Sequence, residues 1–207
     1  MTWIKICGIT NIEDALSAAS LGIDALGFVF APSPRRVELD MAKKIIQALP
    51  ETLLKVGVFV DGDWEEVQQV VKYCNLNALQ FHGKESAEYL KKFSHPVFKA
   101  IHIKNQESLK DIKKYDHVSL LLDTYHPSQA GGTGNPFPWE IALIVKEKRD
   151  FILSGGLSSL NVREAIQKVK PWGVDVSSGV ELFPGKKDPI KMEAFVKEVK
   201  KADETTG

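Results

Sequence analysis

A short apolar run followed by an amphipathic stretch, repeated eight times, is the pattern that most limits what this chain can fold into. The runs cover residues 3–7, 25–30, 55–60, 78–81, 97–101, 119–123, 151–153 and 173–176. Between and after them, residues 11–21, 41–49, 65–73, 87–93, 108–113, 139–146, 162–169 and 189–200 carry apolar side chains at three- and four-residue spacing, which predicts helices. Strands that alternate with helices make βαβ units, and those build a parallel sheet covered on both faces. Eight units fit a closed barrel better than an open sheet, because none of the runs has the character of an exposed edge strand. The fold predicted is therefore α/β, a single-domain (β/α)8 TIM barrel over residues 1–201, with a frayed tail at 202–207. A length of 207 residues lies near the lower limit for that architecture.

Composition removes several classes of function. Lys and Arg together number 27 and so do Asp and Glu, so no basic surplus points to nucleic acid or an anionic membrane. No apolar stretch approaches the roughly 20 residues a bilayer span requires. The chain enters its first strand without a basic segment or an apolar leader, and its two cysteines lie far apart. The expectation is a cytoplasmic protein with reduced thiols, acting on a small molecule.

In such a barrel the residues just after each strand form the ligand-binding rim. In order these are Cys7, the 31–37 loop, Asp61, His82, His102, Asp123, Ser154-Gly155-Gly156 and Ser177-Ser178-Gly179. Cys7 ends the first strand and shares a face with Lys5, whose ammonium would favour the thiolate. Thr10 and Glu13 are spaced as a capping box for the helix that follows. Read alone, Cys7 is as easily a small buried hydrophobe.

The clearest chemical signal is the pair of glycine-bearing turns after strands seven and eight. Gly155, Gly156, Ser178 and Gly179 lie where barrels offer backbone N–H groups to a phosphate. A side chain there would block the approach of an oxyanion, although either loop taken alone reads equally as a plain turn. Asp123 emerges from Leu120-Leu121-Leu122, partly desolvated, and suits general-acid work. Alone it reads as a cap or an ion pair; with a thiol across the rim, an acid and a base flanking one pocket is the better account. Asp175 either accepts from a sugar hydroxyl or an amine, or pairs with Lys5 inside the barrel. Arg35 and Arg36 sit on a proline-stiffened loop and suit a planar carboxylate, or else are solvated. His82 reads as a ligand contact or as a histidine satisfied by backbone. Residues 124–138, with Gly131-Gly132-Thr133-Gly134, read as a lid or a plain flexible loop.

There is no dinucleotide fingerprint, no P-loop, no nucleophile elbow and no histidine spacing suited to a metal. The residues alone thus predict a barrel enzyme, free of cofactor and metal, that moves protons on a phosphorylated small molecule.

Taken together, Lys5-Ile6-Cys7-Gly8-Ile9-Thr10, Val56-Gly57-Val58-Phe59-Val60, Gln80-Phe81-His82-Gly83, Leu122-Asp123-Thr124, Ser154-Gly155-Gly156-Leu157 and Asp175-Val176-Ser177-Ser178-Gly179-Val180-Glu181 closely resemble the N-(5′-phosphoribosyl)anthranilate isomerases of tryptophan biosynthesis. The resemblance covers essentially the whole chain. It implies an Amadori rearrangement with Cys7 as general base and Asp123 as general acid. It also implies Arg35 on the anthranilate carboxylate, with Arg36 the neighbouring alternative. His82 and Asp175 then lie near the reacting sugar and amine, and Gly155, Gly156, Ser178 and Gly179 form the phosphate cradle. A monomer or a homodimer is expected.

The departures are small: Phe81 for a commoner leucine, Arg36 for a frequent aromatic, and Pro138 for an aspartate that would cap the sixth helix. Related phosphate-binding barrels fit less well. The histidine-pathway isomerase uses carboxylates for both proton transfers, and indole-glycerol-phosphate synthase carries an N-terminal extension. A silent phosphosugar-binding protein would have no use for Cys7 and Asp123 together.

Overall fold

The computed structural model describes residues 1–124 and 137–205. Eight parallel strands close into a barrel in sequence order, β1 pairing with β8. They are β1 (Trp3–Cys7), β2 (Ala25–Val29), β3 (Leu54–Phe59), β4 (Ala78–Phe81), β5 (Val97–Ile103), β6 (Ser119–Thr124), β7 (Phe151–Leu153) and β8 (Gly173–Val176). The helices are α1 (Ile12–Ser20), α2 (Leu39–Gln47), α3 (Trp64–Cys74), α4 (Ala87–Leu90), α5 (Trp139–Lys146), α6 (Val162–Val169) and α7 (Pro189–Glu204).

Period-two alternation divides each strand between two cores. Ile4 and Ile6 of β1 face the helices, in the large cluster that also holds Phe28, Leu79, Leu122 and Phe195. The barrel interior holds a second cluster of Ala25, Val56, Ala78, Phe98, Ala100, Leu121 and Ile152, closed below by Trp3. Alanines combined with larger side chains such as Phe98 make this interior a packed core, as in barrels of this kind. Above that plug the inward positions turn polar. Lys5, fully buried, bonds Asp175 of β8 at 2.7 Å, and the two residues are partners in the β1–β8 register.

Three local expectations are corrected. Residues 108–113 do not form an α-helix. Two 3₁₀ turns, Gln106–Leu109 and Ile112–Tyr115, stand there, and Ile112 is their one buried residue, too little apolar surface to dock a full helix. The cap of α1 is Asn11, whose side chain accepts from Asp14 N at 2.9 Å; Thr10 instead donates its hydroxyl to Gly185 O. At the other end α7 continues through Glu204 with Ala202 buried, so residues 202–204 are helical. Pro138 does precede α5 without a side-chain cap.

After β8 the chain adds a feature not foreseen as structure. A 3₁₀ turn (Ser178–Val180) leads into the hairpin β9 (Glu181–Phe183) and β10 (Lys186–Lys187). The buried carboxylate of Asp14 holds this hairpin onto α1, accepting from Lys187 N and Lys186 Nζ, each at 2.7 Å. The first and last βα loops are thereby tied together beside Cys7.

Candidate active site

At the C-terminal rim of the strands lies a cleft lined by Cys7, Arg35, His82, Asp123, Gly155, Gly156, Asp175 and Ser178, with Val29, Val58 and Val60 as its apolar wall. The fold therefore brings eight of the nine residues singled out from sequence to one place. Gly179 is the exception: it lies under the cleft, where a Cβ would come 1.9 Å from Leu157 O. Its missing side chain lets the β8 loop pack directly on the β7 loop, which serves the same cradle indirectly. Residues 125–136, which include the glycines of the expected lid, lie outside the described part of the chain.

Cys7 ends β1 with its sulfur over Gly27, where a Cβ would lie only 2.6 Å from Sγ. Burial pushes the thiol above its ordinary value and Asp175 adds to this, while Lys5 and Lys187 pull the other way without overcoming it. Lys5 favours the thiolate, as expected from the sequence, but burial is the larger effect and the net shift is upward. Burial opposes the charge on Lys5 too, but Asp175 and the Cys7 sulfur outweigh it and hold the ammonium above its usual range. Lys5 is therefore a fixed cation beneath a sulfur that must become an anion to act.

Across the cleft Asp123 leaves β6. Its Oδ1 accepts from Thr124 N at 2.8 Å, and its Oδ2 lies 3.0 Å from His82 Nε2. His82 Nδ1 in turn lies 3.0 Å from Gln80 Nε2 on β4, which makes a buried Gln80–His82–Asp123 chain. Gly155, at φ +82, leaves room for it: a Cβ there would come within 2.8 Å of Asp123 Oδ1.

Gly155 and Gly156 both adopt positive φ, and Ser154, Leu157, Ser177 and Ser178 complete that end of the cleft. Ser177 Oγ is buried there with no hydrogen-bond partner among the described residues. Ser154 Oγ approaches Asp175 Oδ2 at 3.4 Å.

Arg35, not Arg36, reaches the cleft; Arg36 points outward with half its side chain exposed. The Arg35 stem lies on Gly8, at φ +81, and its guanidinium grips Glu181 through Nε at 2.9 Å and Nη2 at 2.8 Å. Glu181 also accepts from Lys187 Nζ at 2.8 Å. Burial would raise the Glu181 carboxyl, but the two cations outweigh it and hold it below the usual range. Burial draws Lys187 down, against the pull of Glu181. Sequence reading missed this triad because Glu181 and Lys187 flank a Pro-Gly turn, where charges ordinarily meet solvent. Asp61 proves structural: its Oδ1 accepts from Lys84 N, and it lines no part of the cleft.

A thiol and a carboxyl lining one cleft with two glycine-bearing turns, at the rim of a (β/α)8 barrel, are the arrangement of an acid–base enzyme. The relatives narrow the class. A family profile described as N-(5′-phosphoribosyl)anthranilate (PRA) isomerase matches residues 4–198. The isomerase of Desulforudis audaxviator is 48% identical over 98% of this chain and 100% of its own. The crystal structure of the Thermotoga maritima phosphoribosylanthranilate isomerase superposes with a TM-score of 0.92 at 42% identity, over 97% of this chain and 100% of that one. A second isomerase structure, in complex with reduced 1-(o-carboxyphenylamino)-1-deoxyribulose 5-phosphate, superposes at 0.89 with 41% identity, again over 97% and 100%. The chain belongs to the N-(5′-phosphoribosyl)anthranilate isomerase family.

Proposed function

We infer that this enzyme catalyses the Amadori rearrangement of N-(5′-phosphoribosyl)anthranilate to 1-(2-carboxyphenylamino)-1-deoxyribulose 5-phosphate in tryptophan biosynthesis. The observation that carries the reading is one cleft holding Cys7 and Asp123 together with an anion cradle and a guanidinium. The backbone of Gly155, Gly156 and Ser178 takes the phosphate, and Arg35 takes the anthranilate carboxylate at the opposite end.

Between these anchors Asp123 gives its proton to the furanose ring oxygen as the C1′–oxygen bond breaks, leaving a Schiff base. Gln80 bears on this step. Its Nε2 lies 3.0 Å from His82 Nδ1, so as placed the amide donates there and His82 Nε2–H faces Asp123 Oδ2; with the amide turned over, Oε1 accepts from Nδ1–H and His82 Nε2 accepts from the acid. Cys7, as thiolate, removes the proton from C2′, and the C–H electrons form an enolamine that becomes the ketone. Lys5 stabilises that thiolate from below. Asp175, anchored by Lys5, accepts from a sugar hydroxyl or the amine.

The test is turnover itself. Freshly made phosphoribosylanthranilate is expected to lose its fluorescence when the purified protein is added. Unchanged fluorescence with folded protein would remove the assignment.

A further inference from the structure

We propose that His82, His102 and Asp123 form a site for a zinc-class divalent cation at the acid end of the cleft, and that filling it stops turnover. One ligand atom from each of the three lies within 4.8 Å of the other two. His102 and Asp123 are register partners on β5 and β6, and the His82 and His102 rings stand 4.8 Å apart between centroids. Two imidazoles and a carboxylate, with a fourth position open to water, are a donor set that zinc takes readily. Zinc–ligand bonds of about 2.0–2.2 Å bring donor atoms to roughly 3.3 Å from one another. His82 Nε2 and Asp123 Oδ2 are already 3.0 Å apart, so closing the set falls on the His102 ring.

The surroundings supply what a metal-binding histidine needs, a partner for its other ring nitrogen. His102 Nε2 donates to His82 O at 3.0 Å, which leaves the lone pair on Nδ1. For His82 the partner is Gln80, whose Oε1 is buried without a hydrogen bond. Turning that amide over lets Oε1 accept from Nδ1–H and frees Nε2 for the cation, trading one orphaned amide atom for the other. His102 itself does not line the cleft.

Binding in this site is independent of any role given to Asp123. The inhibition rests on Asp123 being the acid, because a cation there occupies the oxygen that must carry the proton. Zinc titration calorimetry is done on Cys7→Ala, so that the thiol cannot contribute, and on Cys7→Ala/His102→Gln. Turnover is followed with and without zinc in the wild type and in His102→Gln, with His102→Asn as a second variant should the first not fold. Expected are one zinc per chain, an affinity at least about tenfold weaker without His102, and metal-free turnover of His102→Gln equal to wild type. The zinc needed to halve its turnover should rise by at least the same factor. No binding, or equal affinity with and without His102, overturns the site. Binding that depends on His102 while wild-type turnover persists overturns the inhibition, and the acid role of Asp123 with it.

Discussion

At the scale of single residues, the proposed mechanism turns on how a buried thiol is made into a base. Burial holds Cys7 above its ordinary value. In the pH profile of kcat/KM the limb set by Cys7 is predicted to lie above the ordinary thiol range. Lys5→Met removes the cation beneath the sulfur and should move that limb to still higher pH; an unmoved limb would mean that Lys5 does not act on Cys7. The same change leaves Asp175 buried without its cation, at a cost of about 3–5 kcal/mol read as a lower Tm. Arg35→Ala should raise KM by roughly ten- to hundredfold, the worth of a charged hydrogen bond, with the affinity for inorganic phosphate unchanged. A KM equal to wild type would take the carboxylate contact away from Arg35.

At the scale of elements, the hairpin β9–β10 is the part that sets the geometry of the site. Glu181 holds Arg35 in place, and Asp14 holds the hairpin to α1. Glu181→Gln should raise KM through a looser Arg35, and the effect should vanish when Arg35 is already alanine. Effects that simply add in the double variant would contradict this coupling. The carboxyl of Glu181 is depressed in the folded state, so its contribution to stability is present above the ordinary carboxylate range and is lost as pH falls below it. Unfolding midpoints measured down the acid limb should be steeper for wild type than for Glu181→Gln.

The same scale shows what the sequence could reveal. The strands were legible because a parallel barrel buries both faces, so that each reads as an apolar run bounded by turn residues. The cradle was legible because Gly155 and Gly156 occupy positive-φ turns that other residues enter only with strain. The hairpin was not, since Glu181 and Lys187 become buried only when β8, α1 and the 31–37 loop meet in space. The segment 106–115 misled because its apolar spacing is helical although little of it finds a core.

At the scale of the whole molecule, the proposed mechanism assigns binding and chemistry to different strands. The proposed phosphate end is backbone after β7 and β8, while Cys7 and Asp123 stand on β1 and β6. Among the described residues no helix is long and apolar enough to cross a membrane. The most direct measurement compares turnover with the affinity for a reduced product analogue in Cys7→Ala and Asp123→Asn. Each variant is predicted to lose about two to four orders of magnitude in kcat, the span of acid–base catalysis, and to bind the analogue within a few-fold of wild type. Loss of analogue binding along with turnover would make the two residues structural supports and contradict the account.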